Sequence, residues 1–91
     1  MIDRPSTWDK KWRLVIFDIA DHSKKKSNYL RKKLYDLGFL QYQKSIFIYP
    51  YHCQDQIDFI KEVFEVSDYV KLIIAIRIDD EEYFKRKFNL Y

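Results

Sequence analysis

The sequence predicts an α+β domain, a four-stranded antiparallel sheet with two helices on one face, from the order strand, helix, strand, strand, helix, strand. Three observations carry that reading. A nearly all-apolar β-rich run occupies residues 13–19, a leucine stripe ending at the chain's single glycine follows it, and a second strongly apolar run returns at residues 69–78. Ninety-one residues are enough for one such domain and not for two.

Each element has its own signal. Arg13-Leu14-Val15-Ile16-Phe17-Asp18-Ile19 reads as a central strand covered on both faces. Asp21 and Ser23 supply N-cap chemistry. Leu30, Leu34 and Leu37 fall at i, i+4 and i+7, with lysines and arginine on the other faces, and Gly38 stands where a left-handed C′ residue is wanted. The first helix is therefore expected over 23–37. Residues 39–51 are β-prone with a polar middle and divide into strands at 39–43 and 46–49, joined near Lys44-Ser45. Pro50 ends that pairing. Ile57, Ile60, Val63 and Phe64 recur at helical spacing and give a second helix over 54–66. The tail opens with acidic residues and is expected to form a short helix, with Phe84 and Phe88 four apart. This is the ferredoxin-like βαββαβ order. It divides the chain into an arm or linker at 1–11, the domain at 12–79 and a C-terminal extension at 80–91. Trp8 and Trp12, four apart, argue that the arm packs onto the domain.

Composition narrows the function classes. A hydrophobic share of 47% with 19% aromatic excludes a disordered chain. Eight tyrosines suit surfaces that are half buried and half wet, as at an oligomer interface. Net charge is only +3, from 17 basic and 14 acidic residues, yet Lys24, Lys25, Lys26, Arg31, Lys32 and Lys33 lie within ten residues. The acids gather at 55–65 and 79–82, so one face is expected to be basic. The lone cysteine, Cys53, excludes an internal disulfide. No apolar run approaches the roughly 20 residues of a membrane span, and the polar start is no signal peptide. A soluble, cytoplasmic protein is expected.

Two constellations carry chemistry. Asp18 closes an apolar strand, where a carboxylate is costly unless it is paired or bound to a metal. It suits Mg²⁺, or else a cap or an ion pair. The basic helix suits phosphates, and its lysines near the helix start oppose the macrodipole, which favours a functional reason over a merely solvated face. His22, His52 and Cys53 lack any metal-ligand spacing and receive no role. One glycine forbids a phosphate-binding loop, and no serine sits in a nucleophile elbow. Tyr42, Phe47, Tyr49 and Tyr51 offer base-stacking faces, with core packing or a dimer contact the favoured use.

The run 11–19, the basic helix, Leu37-Gly38-Phe39 and Gln43-Lys44-Ser45-Ile46-Phe47-Ile48 resemble the CRISPR-associated Cas-two family. With Trp8-Asp9-Lys10-Lys11-Trp12 and Pro50-Tyr51-His52-Cys53, they are most similar to the Cas-two-like C-terminal domain of PaaX-type transcription repressors. The resemblance spans roughly residues 8–90. It implies a homodimer that works on nucleic acid, duplex DNA before RNA. It also implies that Asp18 and its twin in the dimer mate are the proposed Mg²⁺ ligands of an endonuclease. In CRISPR adaptation such a dimer bridges integrase subunits without needing that acid. In PaaX-type repressors the domain accompanies a winged helix. Here Ile19-Ala20-Asp21 replaces the usual proline-glutamate, so Asp21 stands in for that acid, and Ile48 occupies a position often acidic in Cas-two proteins. The resulting expectation is a homodimeric nucleic-acid-associated module, either part of a PaaX-type regulator or a stand-alone adaptation scaffold. The alternative is a Mg²⁺-dependent endonuclease using Asp18 from both subunits.

Overall fold

In chain order the elements are β1 (Trp12–Phe17), α1 (Lys24–Asp36), β2 (Leu40–Gln43), β3 (Ile46–Tyr49), α2 (Gln54–Val63), β4 (Val70–Ala75) and α3 (Glu81–Lys87). They come from a computed structural model that describes residues 7–18 and 24–90. The sheet order is β2-β3-β1-β4 with every neighbouring pair antiparallel, the ferredoxin-like arrangement expected, and α3 follows it. Among the described residues no helix is long and apolar enough to cross a membrane.

Alternation along the central strand assigns the two faces. Val15 stands opposite Phe47, and Phe17 opposite Val70; all four are buried. Leu30 and Leu34 of α1 belong to the same core; Phe17 and Phe47 stack across the strands at 5.9 Å, and Tyr35 on Phe47 at 5.1 Å ties α1 to this side. The opposite face carries Trp12, Leu14 and Ile16, beside Ile46, Ile48 and Ile73. There α3 covers one end: the Phe84 and Phe88 rings lie 6.5 and 6.2 Å from Trp12, whose Nε1 donates to Glu81 Oε1 at 2.9 Å. Phe84 also meets Tyr42 at 5.4 Å. Burying two phenylalanines contributes roughly 2 kcal/mol each, so α3 is held by its side chains although seven residues are too few for a stable free helix. Leu14, Ile16 and Ile46 stay half-buried and Ile73 is 42% exposed, so the rest of this face is open.

Most boundaries fall within a residue or two of the sequence reading. Two ends fall three residues short: α2 stops at Val63 rather than 66, where the chain turns at Glu65, and β4 ends at Ala75 rather than 78, because its partner β1 runs out where Trp12 pairs with Ala75. β4 is also an edge strand, and its apolar content overstates its burial: Ile74 and Ile76 are exposed. The β2–β3 turn does lie at Lys44-Ser45, with a register irregularity at Tyr42 between Gln41 and Gln43.

All three helices stop in the same way. After α1 the Gly38 N–H donates to Tyr35 O and the Phe39 N–H to Leu34 O, with Gly38 at φ 101°. After α2 the Glu65 N–H donates to Glu62 O and the Val66 N–H to Lys61 O, with Glu65 at φ 55°. After α3 the Asn89 and Leu90 N–H groups repeat the pattern onto Arg86 and Lys85, with Asn89 at φ 55°. This is the Schellman stop, and it prefers glycine, tolerates asparagine and strains glutamate. A Cβ on Gly38 would also come within 3.2 Å of the buried Tyr49 ring. In urea denaturation we therefore expect Gly38→Ala to destabilise the fold by about 1–2 kcal/mol. Glu65→Gly is expected to stabilise it by about 0.5–1 kcal/mol, relieving strain at the equivalent position of α2.

Candidate nucleic-acid interface

Asp18 directly follows β1. Its backbone N–H donates to Tyr69 O at 2.9 Å, and its side chain is exposed. An exposed carboxylate keeps its hydration, so its place at the strand end requires no metal and no counter-ion. Asp21 and His22 lie outside the described residues. Among the described residues no group of three or more His, Cys, Asp or Glu side chains gathers where an ion could sit. Mg²⁺ is held by one or two carboxylates while waters and phosphate oxygens complete its octahedron, so Asp18 of one chain would supply a single ligand.

The six basic residues of α1 separate into two kinds. Arg31 is half-buried and used internally: Nη1 donates to Lys44 O at 3.1 Å, and the guanidinium carbon sits 5.2 Å from the Phe17 ring centroid. Lys24, Lys25, Lys26, Lys32 and Lys33 are exposed and take part in no ion pair among the described residues. Lys25 and Lys32, with Asn28 and Tyr29 between them at helical spacing, line a shallow cavity of about 280 Å³. The first turn of α1 contains no acid, so the positive end of the helix dipole adds to the lysines rather than being offset. Asn28 and Tyr29 were not singled out from the sequence; their i+3 and i+4 offsets from Lys25 are the signal that places them on this stripe.

The most tightly built polar cluster lies elsewhere, at the start of β1. Arg13 is only 1% exposed. Its Nη1 donates to Asp9 Oδ1 at 2.9 Å, Lys11 O at 2.9 Å and Pro50 O at 2.8 Å, and its Nη2 donates to Asp9 Oδ2 at 2.6 Å. Both His52 ring nitrogens lie 3.4 Å from Nη2, while Nε has no partner among the described residues. The Arg13 hydrogen bonds hold the Asp9 carboxyl down at about 2, against a partial burial that pushes the other way. Cys53, beside this cluster, is buried, and desolvation pushes its thiol up to about 12. A thiol kept protonated is a poor ligand for a soft metal. Phe47, Tyr49 and Tyr51 are buried and Tyr42 is half-buried, so the aromatic run serves the core, as favoured from the sequence, and not a stacking platform.

An exposed acid closing the first of four ferredoxin-like strands, followed by a lysine-rich helix, defines a Cas-two-type module. The family model described as the PaaX protein central Cas2-like domain matches residues 5–84. The chain belongs to this family. Its description places the domain centrally in PaaX proteins rather than at their C-terminal end. No curated protein matches the chain.

The Asp9–Arg13 pair predicts a pH dependence. A carboxylate whose pKa is lowered on folding contributes stability that is complete above its unfolded value near 4, and that is lost as pH falls toward about 2. At pH 7 Asp9→Ala is expected to cost about 1–2 kcal/mol, below the usual figure for breaking a buried pair because Asp9 is partly solvent-screened. Urea midpoints measured between pH 7 and pH 2 should show the gap between variant and wild type closing below about pH 4.

Proposed function

We propose that this chain is a homodimeric Cas2-like module that lays helix α1 along duplex DNA, as part of a PaaX-type transcription regulator. The observation that carries this reading is the α1 surface: five exposed lysines without a described ion-pair partner, on a helix whose first turn holds no acid. Lysines at a helix start are mildly unfavourable for the helix, and phosphates relieve that cost by binding there. The family match favours a PaaX-type regulator over a stand-alone adaptation scaffold that bridges integrase subunits. A winged helix in the same polypeptide would then supply operator recognition, and this module would supply pairing and backbone contact. A lone, buried cysteine suits the reducing cytoplasm in which such a regulator works.

The open part of the sheet supports the homodimer. Leu14, Ile16, Ile46 and Ile73 are neighbours in the ladder on the face opposite α1 and remain partly exposed. Apolar surface of this kind on a small domain gains from a second copy. Pairing there leaves both α1 helices facing outward. Hydrolysis through Asp18 would instead require the second copy to bring its own Asp18 alongside.

Anisotropy titration of a labelled duplex of about 20 base pairs tests the reading. Five lysine contacts give an expected slope of log affinity on log salt of about −4.5. Lys25→Glu with Lys32→Glu should weaken binding by at least about ten-fold, and Asp18→Ala should leave it unchanged. Absent or salt-independent binding by a folded protein overturns the proposal. Mg²⁺-dependent cleavage lost in Asp18→Ala would establish the nuclease alternative.

A further inference from the structure

The outer surface of the two long helices is divided by charge. Tyr29 of α1 stacks on Phe64 at 6.2 Å, while Lys33 and Leu37 share a groove of about 280 Å³ with Gln56, Phe59, Ile60, Val63 and Phe64. Later residues of α1 thus meet earlier residues of α2, and the helices run antiparallel. Phe59 is 66% and Val63 54% exposed at the rim of this groove, with Tyr29 exposed beside them. On one flank stand the lysines of α1, five of them exposed against the single exposed acid Asp36 at the helix end. On the other stand Asp55, Asp58, Glu62 and Glu65, all exposed. No ion pair among the described residues joins the two helices, so both rows are left to outside partners.

A surface with an apolar seam, one basic flank and one acidic flank is complementary to itself. Of the two in-plane two-fold axes, the one along the helices sets α1 of each copy on α2 of the other. The one across the helices sets like charge on like charge and is disfavoured. We propose that a second copy of this chain docks on the α1–α2 face about the first of these axes. Phe59 and Val63 of the two copies meet over the groove, and the carboxylates along α2 lie on the α1 lysines. Those carboxylates then occupy the positions that phosphates would take, so this contact and duplex DNA exclude one another. The pairing stands apart from the DNA reading; only the exclusion rests on it.

The face lies on the other side of the sheet from Leu14, Ile16, Ile46 and Ile73, so it is tested in an Ile73→Glu background, checked for folding by circular dichroism, where that second surface is disabled. Sedimentation velocity at low salt is run on two double variants, Lys32→Glu with Lys33→Glu and Glu62→Lys with Glu65→Lys. Each should remain monomeric alone, since positions 32, 33, 62 and 65 then all carry one sign where the two copies oppose them. Mixed in equal amounts they should associate at least about ten-fold more tightly than either alone, and raised salt should reverse this. A Phe59→Ser change in both should weaken the mixed pair. Self-association of either variant alone, or a mixture that stays monomeric, overturns the proposal; the latter leaves the face to a different partner. Adding the duplex to the parent Ile73→Glu protein should shift its sedimentation from the helix-face pair to a DNA-bound monomer. If pairing survives bound DNA, the exclusion fails while the pairing stands.

Discussion

A guanidinium buried at the start of the central strand has to be answered by acceptors from several directions, and much of the molecule is arranged around that requirement. Arg13 receives a carboxylate from the arm, a carbonyl from Lys11 and a carbonyl from Pro50. Two segments far apart in sequence, the arm leading into β1 and the end of β3, are thereby fixed to one point. The Pro50 contact also sets where the chain leaves β3 and so where α2 begins, because the α2 N-cap is Cys53. The neighbouring residue, Trp12, performs the matching task on the reverse face. There Glu81, Phe84 and Phe88 converge on its ring and hold α3. Two adjacent residues pointing to opposite faces therefore anchor the arm with the β3–α2 connection on one side and α3 on the other, which explains why arm and extension share the core of the domain.

Such an arrangement is costly to assemble piecemeal. A buried cation without its carboxylate is strongly unfavourable, so the arm and the β3–α2 connection gain from ordering together. The consequence for function lies in the surfaces that remain. With one sheet face roofed by α1 and α2, and the other covered by α3 at one end alone, the molecule presents an apolar patch on one side and charged helices on the other.

Local patterns in the chain were legible where they reflect burial periodicity. The leucine stripe with Gly38 marked α1 and its end to within a residue or two, and the polar break at Lys44-Ser45 with Pro50 bounded β3. What sequence could not convey was long-range or strained. Nothing local announces that Arg13 will face Pro50, thirty-seven residues away. Nor does a glutamate announce a left-handed helix stop, as at Glu65. Among the six basic residues of α1, periodicity alone did not separate Arg31, drawn inward by Lys44 and Phe17, from five lysines in solvent. Asp18 was correctly placed at a strand end, but its exposure depended on where β1 leaves the sheet, and that exposure removes the desolvation argument for a bound ion.

The burial of Cys53 has a further use. Its thiol is the single sulfhydryl in the chain, covered and held protonated up to about 12, at the hinge between the Arg13 cluster and the first turn of α2. A thiol-reactive dye can modify it only while that corner is open. The rate of labelling is then a clock for the lifting of α2 from the sheet, read on the wild-type chain with no introduced probe.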